Sequence, residues 1–239
     1  MTKNSTSPSY IGINQRIPFS VLDEALGQLL LTGDVKRSEI LQNMLQITQG
    51  KNRAEKASMY AGQIISRPKT ALEFLKKRLG AEAYARLPEE DRKAIILCLA
   101  SCTYPIFYNL ISVAGAVFKV QKQVSRAFLR EKMAAIYGSN RTLWVGVDAI
   151  MPMLVELDVL KREKVGIYAA GSRVPILQPV VSELYIYTDI ALSGSKSVSI
   201  DEINHRPWYF FHEVEFSQKL CTGLLKASEG RVGGGYVGI

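Results

Sequence analysis

From Ala94 to Phe118 no side chain is charged, and Arg92, Lys93 and Lys119 flank the run. No other segment constrains the fold so strongly, because about 20 apolar residues suffice to span a bilayer. The contents of the run predict a different outcome. Pro105 lies near its middle and biases Tyr104 towards extended backbone. Ser101, Cys102, Thr103, Tyr104, Tyr108, Asn109 and Ser112 add polar groups. Two buried helices of about ten to thirteen residues, broken near Thr103–Pro105, account for the same letters. The expectation is a core helix pair with no membrane span, a membrane-associated chain using residues 94–118 being the alternative. The rest of the chain can supply the surrounding core. It has 239 residues, of which 47% are hydrophobic and 22% charged, the balance of an ordinary globular protein. The polar start has no apolar run of the signal-peptide kind, so residues 1–15 are expected to be a flexible tail. Cys98, Cys102 and Cys221 form no CxxC pair, which favours a reducing, cytoplasmic setting.

Charge is distributed in blocks. Lys51–Arg78 holds eight basic residues against two acidic ones, Lys119–Lys132 five against one, and Lys161–Arg173 four against one. Val181–Gly230 reverses the sign, with seven acidic residues against four basic. With a formal net charge of +8, the basic blocks point to an anionic partner, nucleic acid or a membrane surface.

The pattern predicts a mainly α fold: a multi-helix bundle with a helix-turn-helix and a winged-helix unit carrying a short β-hairpin. Residues 16–119 form the helical domain with the helix-turn-helix, 120–178 the winged-helix-like unit, and 179–239 a C-terminal helical region with a glycine-rich end. Ser20 is expected to cap the first helix, to about Leu31. Val35–Ile47, the turn around Gly50, and Arg53–Ser66 then make a helix pair of helix-turn-helix form. At about 100° per residue, Ala57, Ala61, Ile64 and Ile65 fall on one side of the second helix. Arg53, Lys56, Tyr60, Gln63 and Arg67 fall on a neighbouring face, with Lys51 just before it. Guanidinium, ammonium, phenol and amide groups on a helix are the types that reach phosphates and base edges. A solvated face of an ordinary bundle gives the same pattern.

In the second unit, Val124–Tyr137 reads as a helix bearing Arg126 and Arg130. A turn at Gly138–Asn140 precedes a helix from Arg141 to about Leu157, which Pro152 should kink. Val165–Tyr168 and Val174–Leu177 then read as strands around Ala169–Arg173. Lys161, Arg162, Lys164 and Arg173 would lie in or beside this wing, and Asn140 and Arg141 at the start of the recognition helix. Beyond it, Pro179–Leu192 and Pro207–Ser228 read as helices, and Ser199–Glu202 resembles a capping box. Gly230–Gly238 precedes no helix, so a phosphate-cradling loop is rejected in favour of a terminal strand or loose tail.

Catalytic constellations are scarce. His205 and His212 have no Ser or Cys beside them in a nucleophile motif, and no Cys/His cluster has zinc spacing. Glu89, Glu90 and Asp91 suit the start of a helix, where carboxylates complement the dipole. No enzymatic activity and no cofactor or metal are expected.

The order of these segments resembles the BrxA-type proteins of BREX phage-defence systems. The resemblance runs through Val21–Leu31, Asp34–Gln46, Arg53–Arg67, Tyr104-Pro105-Ile106-Phe107, Arg141–Leu157 with Asp158-Val159-Leu160, and the run through Pro179 and Pro207-Trp208. It covers most of residues 18–228 without a signature motif. The resemblance implies a small, non-enzymatic, double-stranded-DNA-binding protein acting in blocking phage with a methyltransferase, a phosphatase-like protein and a large ATPase. The residues alone also admit a scaffold whose basic faces dock acidic proteins.

Overall fold

The uncharged run divides at the proline. In the computed structural model, which describes residues 10–229 and 235–239, Tyr104 is extended (φ −131°, ψ 92°) between two helices that meet at 117°. These are α6 (Glu89–Thr103) and α7 (Ile106–Phe118). No single helix among the described residues is long and apolar enough to cross a membrane. Ile95 to Ala100 are fully buried, as befits a helix that is apolar on every side.

Four helices and a short fifth precede this pair: α1 (Phe19–Thr32), α2 (Arg37–Ile47), α3 (Lys51–Ser66), α4 (Lys69–Arg78) and α5 (Gly80–Ala85). α1 and α3 pack on α6. After α7 come β1 (Gln123–Ser125), α8 (Arg126–Tyr137), α9 (Arg141–Glu156), β2 (Leu160–Lys164) and β3 (Ile167–Ala170). β3 is central in an antiparallel sheet of order β1-β3-β2, with Val124 opposite Tyr168 and Lys161 opposite Ala169. Then follow β4 (Val174–Pro175), α10 (Pro179–Ser193), β5 (Ser197–Ser199), β6 (His212–Glu213), β7 (Lys226–Glu229) and β8 (Gly235–Gly238). Short 3-10 turns at Ile200–His205, Pro207–Phe210 and Gln218–Leu220 fill the intervals. β4 pairs in parallel with β6, and the last sheet has the order β5-β8-β7. The result is a mainly helical fold with small sheets.

Several expectations need correction. Residues 11–15, read as tail, are packed: Ile11 and Ile13 are buried, as is Ile17 just after them, and the first two lie against α9 at Gly146. Residues 1–9 lie outside the described residues. Ser20 does not cap α1. The helix opens two residues earlier, at Phe19 after Pro18, and the first N–H, of Phe19, is taken by the Glu156 carboxylate of α9 at 2.8 Å. Ser199 makes no side-chain cap bond. α9, by contrast, has the expected extent, running from Arg141 through Pro152 to Glu156.

The predicted helix over Pro207–Ser228 is absent. Its backbone groups are claimed from elsewhere in the chain. The buried Glu183 carboxylate accepts the N–H groups of Thr222, Gly223, Leu224 and Leu225 at 2.7–3.1 Å, and the Thr222 hydroxyl donates to it as well. Asn204 donates to the Val214 carbonyl at 2.9 Å. Trp208, Tyr209 and Phe211 are buried, as their apolar character requires, in 3-10 and loop backbone. The close approach depends on Gly115, where a Cβ would stand 2.1 Å from the Pro207 carbonyl oxygen. Of the glycine-rich end, Gly235–Gly238 is a strand and 230–234 lie outside the described residues.

Candidate nucleic-acid interface

α2 and α3 meet through Thr48–Gly50, where Gly50 holds φ 99°, in the left-handed half of backbone space that other residues avoid. Ala54, Ala57, Ser58, Tyr60, Ala61, Ile64 and Ile65 bury the inner side of α3. Its outer side carries Asn52, Lys56, Met59, Gln63 and Ser66, with Arg67 at the end; of these Met59 and Gln63 are half-buried and the rest exposed. Lys51 and Arg53 project from the first turn, which has no acidic residue and no capping side chain. Cations there oppose the dipole of their own helix, and an incoming anion would relieve them. The first turn of α6, with Glu89, Glu90 and Asp91, is built the opposite way.

Tyr60 does not belong to this outer row. It is buried, and its hydroxyl donates to Asn14 Oδ1 at 3.0 Å. Burial pushes its phenol pKa up. Gln63 stands at the border, its Oε1 accepting from the Tyr104 hydroxyl. Both partners are more than 40 residues away in the chain, so helix periodicity alone could not assign them. Sequence reasoning missed Asn52 and Ser66, which the same periodicity places on one row with Lys56, near the two ends of α3. Along this row α3 also borders a cleft of about 680 Å³, with Arg37, Lys69 and Lys76 at its rim beside Asp34 and Glu73. Lys76 Nζ donates to the Gly33 carbonyl at 3.2 Å.

In the second unit the cations divide into two groups. Arg126 and Arg130 are brought together on α8 by Asp148 of α9. Arg126 lies 3.4 Å from it, Arg130 makes a closer ion pair, and the Arg130 guanidinium also covers the Trp144 ring. Asn140 caps α9, its Oδ1 accepting the Leu143 N–H at 2.9 Å. These three residues therefore have structural partners. The hairpin is displaced from its predicted place. Its turn is Val165–Gly166, where Gly166 (φ 75°) supplies the left-handed backbone, and its strands are β2 and β3. Arg173 lies outside it, just before β4. Lys161, Arg162 and Lys164 are exposed on β2, and Lys161 pairs with Glu163 at 3.3 Å. Lys122, next to β1, is a further exposed cation that the basic block contained but the site assignment did not.

Among the described residues, Lys51, Arg53, Lys56, Arg67, Arg141, Arg162, Lys164 and Arg173 form no ion pair with an acidic side chain. They make two clusters of uncompensated charge, one on α3 and one around β2, together with the isolated Arg141. Among the described residues no group of three His, Cys, Asp or Glu side chains could hold a metal ion. Burial raises the Cys98 thiol pKa well above its usual value and that of Cys102 to about 11, so both stay protonated at neutral pH. Comparisons with protein-family models, with curated proteins and with solved structures gave no match to this chain.

Proposed function

We propose that this chain is a non-enzymatic, cytoplasmic double-stranded-DNA-binding protein, using the outer face of α3 and the β2–β3 hairpin of a winged-helix unit. The observation that carries the reading is the absence of internal neutralisation. The α3 cations and those of β2 beyond Lys161 face outward with no carboxylate partner among the described residues, whereas Arg126, Arg130 and Lys161 are engaged by Asp148 and Glu163. Phosphate contacts supply most of the affinity of such proteins. The order α7, β1, α8, α9, β2, β3, with β1 on β3, is that of a winged helix and supports the same reading. The resemblance to BrxA-type proteins extends the proposal to a BREX phage-defence setting, beside a methyltransferase, a phosphatase-like protein and an ATPase. The test is an anisotropy titration of the purified chain against duplex DNA, single-stranded DNA and RNA at two salt concentrations. The proposal expects tightest binding to duplex with a steep salt dependence; equal or tighter binding to the other two, or none to any, contradicts it.

A further inference from the structure

In a winged helix the second helix of the pair occupies the position from which the major groove is read. Here that helix is α9, and its outer face is unsuited to the task. From its amino to its carboxyl end the face presents Arg141, Trp144, Val145, Asp148, Pro152 and Glu156. Asp148 holds both Arg126 and Arg130, and Arg130 also lies over the Trp144 ring, so the two guanidiniums nearest the face are tied to partners within the fold. Glu156 is occupied by Arg16 and by the Phe19 N–H, so the amino-terminal segment sits over the carboxyl end of the face. Of the cations at this face, Arg141 alone has no carboxylate partner among the described residues.

The hairpin has the opposite character. Every residue of β2 after Leu160 is exposed, and Val165 at the tip is 81% exposed between Lys164 and Gly166. β3 is the central strand, with β1 on its other side and Tyr168 buried, so the hairpin cannot enter a groove as a free two-stranded ribbon. Only its tip and the outer edge of β2 project. A narrow basic tip with one apolar residue suits the minor groove, which is about 6 Å wide and receives Arg, Lys and apolar wedges.

Resting on the proposed duplex binding, we infer that the second unit meets DNA through the β2–β3 hairpin tip in the minor groove, with Val165 as its apolar contact and α9 held off the duplex. The experiment uses the full chain and an A·T-rich duplex of about 20 base pairs, with netropsin to fill the minor groove. Replacing Val165→Asp, or Arg162→Ala with Lys164→Ala, should weaken binding about tenfold each, whereas Arg141→Ala should change it less than about twofold. Netropsin should weaken the unaltered protein about tenfold and the Val165→Asp variant far less. All four positions are exposed, so circular dichroism should show every variant folded. A loss from Arg141→Ala as large as that from the hairpin, or equal netropsin sensitivity of the unaltered protein and the Val165→Asp variant, overturns the inference while duplex binding stands. Failure of the unaltered protein to bind duplex at low salt overturns the duplex reading itself, and the inference with it.

Discussion

The segment from α7 to β3 and the segment from α10 to β8 share a plan. In each, a helix leads to a short edge strand, helical turns follow, and a late pair of strands returns with the last one in the centre: β1-β3-β2 in the first, β5-β8-β7 in the second. Their surfaces and interiors differ. The first uses two full α-helices and exposes cations on its hairpin. The second replaces them with 3-10 turns, buries Trp208, Tyr209 and Phe211, and lies in the acidic part of the chain. A shared plan therefore says little about function, which depends on the side chains each copy presents. Carboxylates mark the difference. In the first segment Asp148 lies near the surface and is shared by two arginines. In the second Glu183 is fully buried and gathers backbone N–H groups.

The largest effect is expected at Glu183. Glu183→Ala leaves four N–H groups, that of Leu225 buried, without the carboxylate that accepts them and should cost about 3–5 kcal/mol, read as a shift in the urea midpoint. A loss below about 1 kcal/mol would mean that the Thr222–Leu225 turn does not depend on this carboxylate. The next effect is one of pH. His212 is buried 3.0 Å from the Tyr185 hydroxyl, which donates to the Trp208 carbonyl, and burial lowers its pKa to about 4. The folded state keeps it neutral while the unfolded chain protonates it near 6.5. This contribution is complete above that pH and is lost as pH falls from about 6.5 to about 4, amounting to about 2 kcal/mol between pH 7 and pH 5. His212→Gln should flatten that part of the stability–pH curve; an unchanged curve would refute the assignment.

Asp148→Ala provides the matching test in the first segment. The site is more than a third exposed, so solvent weakens the ion pairs and the cost should be only about 1 kcal/mol by urea denaturation. If it matched the loss at Glu183, the contrast between a surface and a buried carboxylate would fail.

What the sequence reveals here is local. The break at Tyr104–Pro105 is legible because proline restricts its own backbone and that of its predecessor. α3 is legible because small and β-branched residues recur on its inner side. The absent helix after Pro207 is a tertiary effect: its aromatic spacing suits a helix, but Glu183 and Asn204 take the hydrogen-bonding groups. The hairpin turn was displaced because two glycines compete for it. Gly166 makes the turn, while Gly171 gives room to the Asp158 carbonyl, from which a Cβ would be 1.7 Å. At the candidate interface, helical spacing locates Lys56 and Arg67, yet the inward turn of Tyr60 and the neutralisation of Arg130 depend on Asn14 and Asp148, distant in the chain. Periodicity identifies a face, but not which of its groups already have partners.

The central claim is that uncompensated cations on α3 and β2, and not the overall positive charge, bind DNA. The most direct measurement is the slope of log affinity against log salt for duplex DNA. Arg53→Ala with Lys56→Ala, and separately Arg162→Ala with Lys164→Ala, should each reduce its magnitude by about 1–2. Lys196→Ala with Lys226→Ala, exposed cations of the acidic second copy, should leave it unchanged. Equal reductions from all three pairs, or none from the first two in a protein that still binds, would contradict the account.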